Sequence, residues 1–359
     1  MAVSRINEAG LNVNQYGNRN VIYNGAMKVA QRGTSSTGLG AAAGYFTVDR
    51  WRVIGANTAG RFTMSQTADG PSGFANSLKL DCTTADTSIA SDELLTIRQT
   101  IEGQDVQSLA KGTSDAKEIT FSFYVKANAA FTFGVEVYDG DNNRQITKLF
   151  TTSTGWVRHE ITFPADTTGA LDDDNAGSLI IQFWLHAGSN YTSGTLNSTS
   201  WANVTTANRA GGIGSFYSST SNEFLVTGVQ LEVGDTATDF EHRTFGDELL
   251  RCQRYFNRIG KDDGSNTHLL VGGVEASSTL IMSRACPVSM RAAPTSTIGS
   301  GVRGFTTAGG VSTISSFASR NSRDIVCLSV VVSNSHTLGQ SAVLFDSTTD
   351  GYIDSDAEL

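Results

Sequence analysis

Phe224–Ile259 reads FLVTGVQLEVGDTATDFEHRTFGDELLRCQRYFNRI, and the fold turns on how this stretch is read. It opens with an alternation. Leu225, Thr227, Val229 and Leu231 share one face, and Val226, Gly228, Gln230 and Glu232 share the other, as in a strand with one buried side. Gly234-Asp235 breaks the strand. Asp247 is placed to cap a helix that starts at Glu248, and acidic residues suit a first helical turn. Phe245, Leu249, Cys252, Phe256 and Ile259 fall on one helical stripe, which Gly260 would end. The spacing therefore predicts a linker helix within residues 241–260. That helix either docks on its own β domain or forms a short seam between identical chains. Two heptads are too few to hold such a seam alone.

Working outward, the block before this stretch is β-rich. Strands are predicted at Tyr45–Ile54, Arg61–Thr67, Ser77–Asp81, Leu94–Ile101, Glu118–Ala127, Phe131–Tyr138, Trp156–Phe163, Ser178–His186 and Phe224–Glu232. Turn clusters such as Asp69-Gly70-Pro71 separate them. Even spacing, with no helix long enough for a βαβ crossover, predicts a jelly-roll β-sandwich over residues 41–240. Residues 1–40 are polar and rich in Gly and Asn, so they are expected to be flexible or extended against something else. Residues 188–221 form a long Ser/Thr/Asn/Gly-rich insertion, of the kind that is functional or docked on a neighbour. Its N-x-[ST] sequons at Asn190, Asn197 and Asn203 match by chance in so Ser/Thr-rich a chain.

The block after the stretch, residues 261–359, is a second β-rich domain. Ile325–Val332 is apolar on both faces and should be a central strand. Asp354, Asp356 and Glu358 read as an exposed acidic tail. The fold class is therefore all-β: a jelly-roll sandwich, a short helix and a second, C-terminal β-sandwich domain.

Composition agrees with this and narrows function. Charged residues make up 17% of the 359 and Pro is rare. The net charge of −9 argues against non-specific nucleic-acid binding and against an anionic bilayer. Cys82, Cys252, Cys286 and Cys327 form no metal-ligand spacing. No apolar run is long enough for a membrane span, and MAVSRINEAG lacks a signal-peptide core, so folding in a cytoplasm is expected.

Three segments resemble known families. Asn18-Arg19-Asn20, Asn24-Gly25-Ala26-Met27, Gln31-Arg32-Gly33-Thr34-Ser35 and Asp49-Arg50-Trp51 are similar to the start of tailed-phage fibre and virion structural proteins, marine and cyanophage types among them. Lys117–Ala127, Trp156–Phe163 and Val229–Gly234 resemble jelly-roll carbohydrate-binding modules of the four/nine type. Asp239–Arg243, Gly246–Leu249, Cys252–Phe256 and Pro287–Thr295, with the terminal Asp356–Leu359, look like the linker and C-terminal domain of phage tail fibres. The resemblance implies a non-enzymatic virion protein, a tail fibre or receptor-binding component made in the host cytoplasm. It implies attachment to other virion proteins through residues 1–40, a homotrimer, and contact with host surface polysaccharide. A capsid decoration or head-fibre protein is the alternative, and a polysaccharide-degrading tailspike the second. Related modules carry a calcium-holding carboxylate in the closing strand, where this chain has Val226-Thr227-Gly228-Val229. No metal or cofactor is expected.

Sugar binding needs flat aromatic faces for the C–H side of a pyranose, with amides and carboxylates for its hydroxyls. On Ser178–His186, one face carries Leu179, Ile181, Phe183 and Leu185, which read as core. The other offers Gln182, Trp184 and His186, with Glu136 and Tyr138 from a neighbouring strand as companions. These five are the candidate glycan-binding residues, although for Trp184 a place in the core or in an interface between subunits is the favoured reading. Trp51 reads as core or interface. Asp172-Asp173-Asp174 and Asp262-Asp263 lack EF-hand spacing and read as solvated turns. No GxSxG, HExxH or phosphate loop appears, and no carboxylate pair is singled out, so no catalytic residue is assigned.

Overall fold

A computed structural model describes residues 18–260 and 267–359. Asp262-Asp263 and residues 1–17 of the N-terminal segment lie outside the described residues. The chain divides between Phe245 and Gly246 into two compact units.

The first unit is a jelly-roll sandwich of antiparallel strands: β1 (Ser35–Leu39), β2 (Gly44–Tyr45), β3 (Arg52–Ala56), β4 (Arg61–Thr67), β5 (Ser77–Thr84), β6 (Leu94–Glu102), β7 (Ile119–Ala127), β8 (Thr132–Asp139), β9 (Arg144–Thr151), β10 (Val157–Phe163), β11 (Gly177–Ala187), β12 (Ala202–Asn203) and β13 (Glu223–Val233). A single helical turn, α1 (Ser189–Thr192), follows β11. One sheet has the order β1-β4-β5-β13-β7-β10, the other β12-β9-β8-β11-β6-β3-β2. Their facing residues form one core, in which the Phe183 ring meets Phe123 edge-on with centroids 5.0 Å apart. Burying an aromatic ring of this size is worth about 1.5–3 kcal/mol.

The structure departs from the sequence reading at several places in this unit, and β9 lies where no strand was predicted. Tyr45–Ile54 is not one strand: Val48 to Trp51 turn the chain, and β2 pairs back on β3. Trp51 is a core residue, its Nε1 donating to the Asn24 carbonyl at 3.2 Å. The alternation of β13 reverses at Gly228 (φ +60°), where a bulge shifts the pairing with β7. Phe224 and Val226 before it, and Val229 and Leu231 after it, therefore all face the core.

A further departure concerns residues 18–40, expected to be flexible or extended against something else. They are part of the sandwich. Beyond the stretch of β13 that pairs with β5, the chain from Asn20 to Gly25 runs beside the strand. Val21 N donates to Leu231 O at 3.1 Å, and Val229 N donates to Gly25 O at 2.9 Å. The Asn20 side chain bonds the backbone at both Val229 and Leu231. Ile22, Met27 and Val29 are buried, and β1 pairs with β4. Asn side chains that imitate a backbone amide make this docking possible without a long strand.

The second unit opens with α2 (Phe245–Gln253). The predicted helical stripe stops there. Phe256 and Ile259 belong to a strand, β14 (Phe256–Gly260), which pairs with β22 (Tyr352–Asp356) in register Phe256↔Asp356 to Gly260↔Tyr352. Cys252, Phe256 and Ile259 are buried, Leu249 is half-buried, and Phe245 is 56% exposed, so the five residues do not form one seam. The expected acidic tail is also a strand end: Asp354 accepts both Nε and Nη2 of Arg258 at 2.6 Å.

Between these strands run β15 (His268–Ala276), β16 (Thr279–Ala285), β17 (Thr295–Ile298), β18 (Val302–Thr306), β19 (Gly310–Ser319), β20 (Ile325–Val332) and β21 (Ser341–Asp346). Six of them close into a barrel in the order β15-β16-β20-β19-β18-β21, and β14-β22-β17 form a separate sheet. β20, the predicted central strand, lies between β16 and β19.

Candidate functional site

The exterior face of the seven-stranded sheet gathers four of the five residues singled out from sequence. β11 pairs with β8 so that Gln182 lies opposite Glu136, Trp184 opposite Gly134, and Ile180 opposite Tyr138. Leu179, Ile181, Phe183 and Leu185 point the other way, into the core.

Glu136 is the centre of this group. Its carboxylate is fully buried and accepts from the Gln182 side-chain amide, from Trp184 Nε1 at 2.9 Å, and from Arg209 Nε and Nη2 at 2.8 and 2.9 Å. Burial pulls the Arg209 guanidinium down, but the charge and hydrogen bonds of Glu136 carry it above its ordinary value. Arg209 also lies over the rings of Trp184 and Tyr138, each at 5.2 Å. Such a group is stable only because every donor and acceptor is matched.

Arg209 comes from the 188–221 insertion, which packs across this face of its own domain. Tyr191 stacks near Trp184 with centroids 5.4 Å apart. β12 pairs with the edge strand β9. Trp184 is thereby left 2% exposed. His186 is buried beside Glu93 Oε2 at 3.0 Å and Ser215 Oγ at 2.8 Å, apart from the Glu136 group. Burial lowers its pKa, with the Glu93 carboxylate opposing.

Tyr138 remains half-buried at the edge of the covered zone, and beyond it the face opens. One cross-strand row runs Tyr45, Arg52, Arg98, Gln182, Glu136 and Thr147 through β2, β3, β6, β11, β8 and β9. Arg32 and Arg52 both lie over the Tyr45 ring, at 5.2 and 5.8 Å. Tyr45, Arg52 and Arg98 are half-buried. These residues were not picked out from sequence. Arg98 carried a signal, since it alternates with the apolar Ile97 in a predicted strand, but only the strand order places it beside Gln182.

A second polar cluster lies at one end of the sheets. Lys111 Nζ is enclosed by Asp139 Oδ2, Asp166 Oδ2 at 3.1 Å, and the carbonyls of Thr168 and Gly169 at 2.9 Å. Arg144 binds the same carboxylate, its Nε to Oδ2 at 2.8 Å and its Nη2 to Oδ1 at 2.9 Å. Asp172, Asp173 and Asp174 are exposed, and no cluster suited to a metal ion occurs among the described residues. The four cysteines are free.

No family model matches the chain, and no curated protein matches it. Among solved structures it is similar to a family 4 carbohydrate-binding module, at 13% identity and a TM-score of 0.31, over 59% of this chain and 99% of the module. It is also similar to a family 61 module solved with β-1,4-galactotriose, at 10% identity and a TM-score of 0.29, over 60% and 99%. A third likeness is to the family 22 xylan-binding domain from Paenibacillus barcinonensis, at 13% identity and a TM-score of 0.27, over 59% and 92%.

Proposed function

We propose that the chain is a non-catalytic component of a tailed-phage virion, a tail fibre or receptor-binding protein whose sandwich contacts glycans of the host surface. The observation that carries the glycan part is the open half of the seven-stranded sheet. There the half-buried Tyr45 and Tyr138 rings and the Arg52 and Arg98 guanidiniums share one face. Tyrosine faces suit the C–H side of a pyranose, and guanidinium groups suit its hydroxyls. Repetition on a particle would let individually weak sites suffice. The virion part rests on the sequence motifs around Asn18–Ser35, Asp239–Phe256 and Pro287–Thr295; attachment to other virion proteins and a homotrimeric state belong to the same proposal.

Two measurements test it. The protein should bind host cells or their purified surface polysaccharide, and Tyr45→Ala with Tyr138→Ala should reduce that binding about tenfold or more with the unfolding temperature little changed. Trp184 is unsuitable as the probe because it is buried. Reconstruction of the whole particle should place the chain on the tail. Density on the head would favour a decoration protein, and release of reducing ends from the polysaccharide would overturn the non-catalytic reading.

A further inference from the structure

Arg98 differs from the arginine beside it on the covered zone. Arg209 is fixed by Glu136 through two hydrogen bonds. Arg98 makes no hydrogen bond and no ion pair among the described residues, and its Nε is buried without an acceptor. Its cross-strand neighbours are Arg52 on β3 and Gln182 on β11, neither of which offers a counter-charge. Glu136, one strand further, is already engaged by Arg209, Gln182 and Trp184. Burial, then the positive charges of Arg52 and Arg209, work against the Arg98 cation. A half-buried guanidinium placed among like charges, with an unpartnered donor, is stabilised most by an anion.

We propose that this face recognises the carboxylate of an acidic sugar, a uronic acid unit in a polysaccharide, with Arg98 as its counter-ion and Tyr45 and Tyr138 against the sugar rings. The inference rests on the glycan-contacting reading of the same face and adds the class of sugar. A guanidinium fork meets a carboxylate through two parallel N–H···O bonds, which a neutral hydroxymethyl group cannot reproduce. The net charge of −9 sets the field of the whole molecule against dense polyanions. The fitting ligand is therefore a heteropolysaccharide in which uronate units stand among neutral sugars.

The test is a glycan array of matched pairs, each uronate-bearing oligosaccharide beside its carboxyl-reduced counterpart, probed with the full chain and with Arg98→Gln. The acidic members should bind roughly 10- to 100-fold more tightly than their partners, with a preference that shrinks as salt rises. Arg98→Gln should erase the preference, weakening the acidic members far more than the neutral ones. Its unfolding temperature should be no lower than that of the parent, because the arginine has no partner to lose. Equal binding within pairs, or a preference that survives Arg98→Gln, would overturn the inference and leave the glycan-contacting reading standing. Binding to no member would overturn both. A drop of several degrees in the variant would show Arg98 to be structural and sink the proposal.

Discussion

At Glu136, three side chains converge on one buried carboxylate, and only Arg209 among them carries charge. Removing Arg209 would leave that charge in a place water does not reach. Arg209→Ala should lower the unfolding free energy by about 3–5 kcal/mol, read from urea denaturation, with Arg209→Lys recovering only part. A loss under about 1 kcal/mol would mean that water solvates Glu136 after all. The same residues show how far sequence reaches at this scale. Gln182 and Trp184 were legible as neighbours because a strand has period two. Their burial was not, because it depends on the course of a Ser/Thr/Asn/Gly-rich insertion that no periodicity constrains. Arg98 was legible as a strand residue, and its lack of a partner was not.

Among elements, the segment from Asn20 to Gly25 and the segment from Phe256 to Gly260 carry the main lessons. Gly25 lies so close to β13 that a Cβ there would sit 2.1 Å from the Val229 carbonyl oxygen. Gly25→Val should therefore push this segment off β13 and expose Ile22 and Met27. The expected loss is about 2–5 kcal/mol, of the size of a lost core side chain, with new protease cleavage near residue 25. Unchanged stability would show that the segment is dispensable. Phe256–Gly260 continues the helical stripe of α2 in sequence yet is a strand. Its spacing satisfies either structure, and the deciding partner, Tyr352–Asp356, lies almost at the other end of the chain. Arg258 settles there by pairing with Asp354 and lying over the Tyr352 ring at 4.1 Å. Local pattern thus identified most strands, whereas pairing across long separations decided the ambiguous ones.

For the molecule as a whole, acid should be destabilising, in two stages. His159, His186 and His242 all have pKa values lowered chiefly by burial. An unfolded histidine takes up its proton near pH 6.5, before the folded one does, so the unfolded state binds more protons as pH falls and stability falls with it. Asp69, Asp86 and Asp166 are also lowered. The Lys126 hydrogen bond leads at Asp69; at Asp86 and Asp166 burial opposes, and hydrogen bonds from Thr58 and from Arg144 with Lys111 prevail. Their contribution is complete above an ordinary aspartate pKa of about 3.9 and is lost below it. The urea midpoint should fall between about pH 7.5 and 5.5, then again below about pH 4. A midpoint that holds or rises over the first interval would contradict the lowered pKa values of these histidines.

The docking of Asn20 to Gly25 on β13 also sets a clock. Asn20 bonds the amide of Leu231, made 211 residues later. At ribosomal speeds of about 5–20 residues per second, that is a wait of roughly 10–40 seconds. Throughout it Ile22, Met27 and Val29 have no core to enter, and β5 and β7 lack the strand that joins them. Contacts of such separation form slowly even in a complete chain. Until Leu231 is made, the nascent sandwich therefore lacks its joining strand and leaves apolar residues without a core, so its yield should depend on shelter during translation.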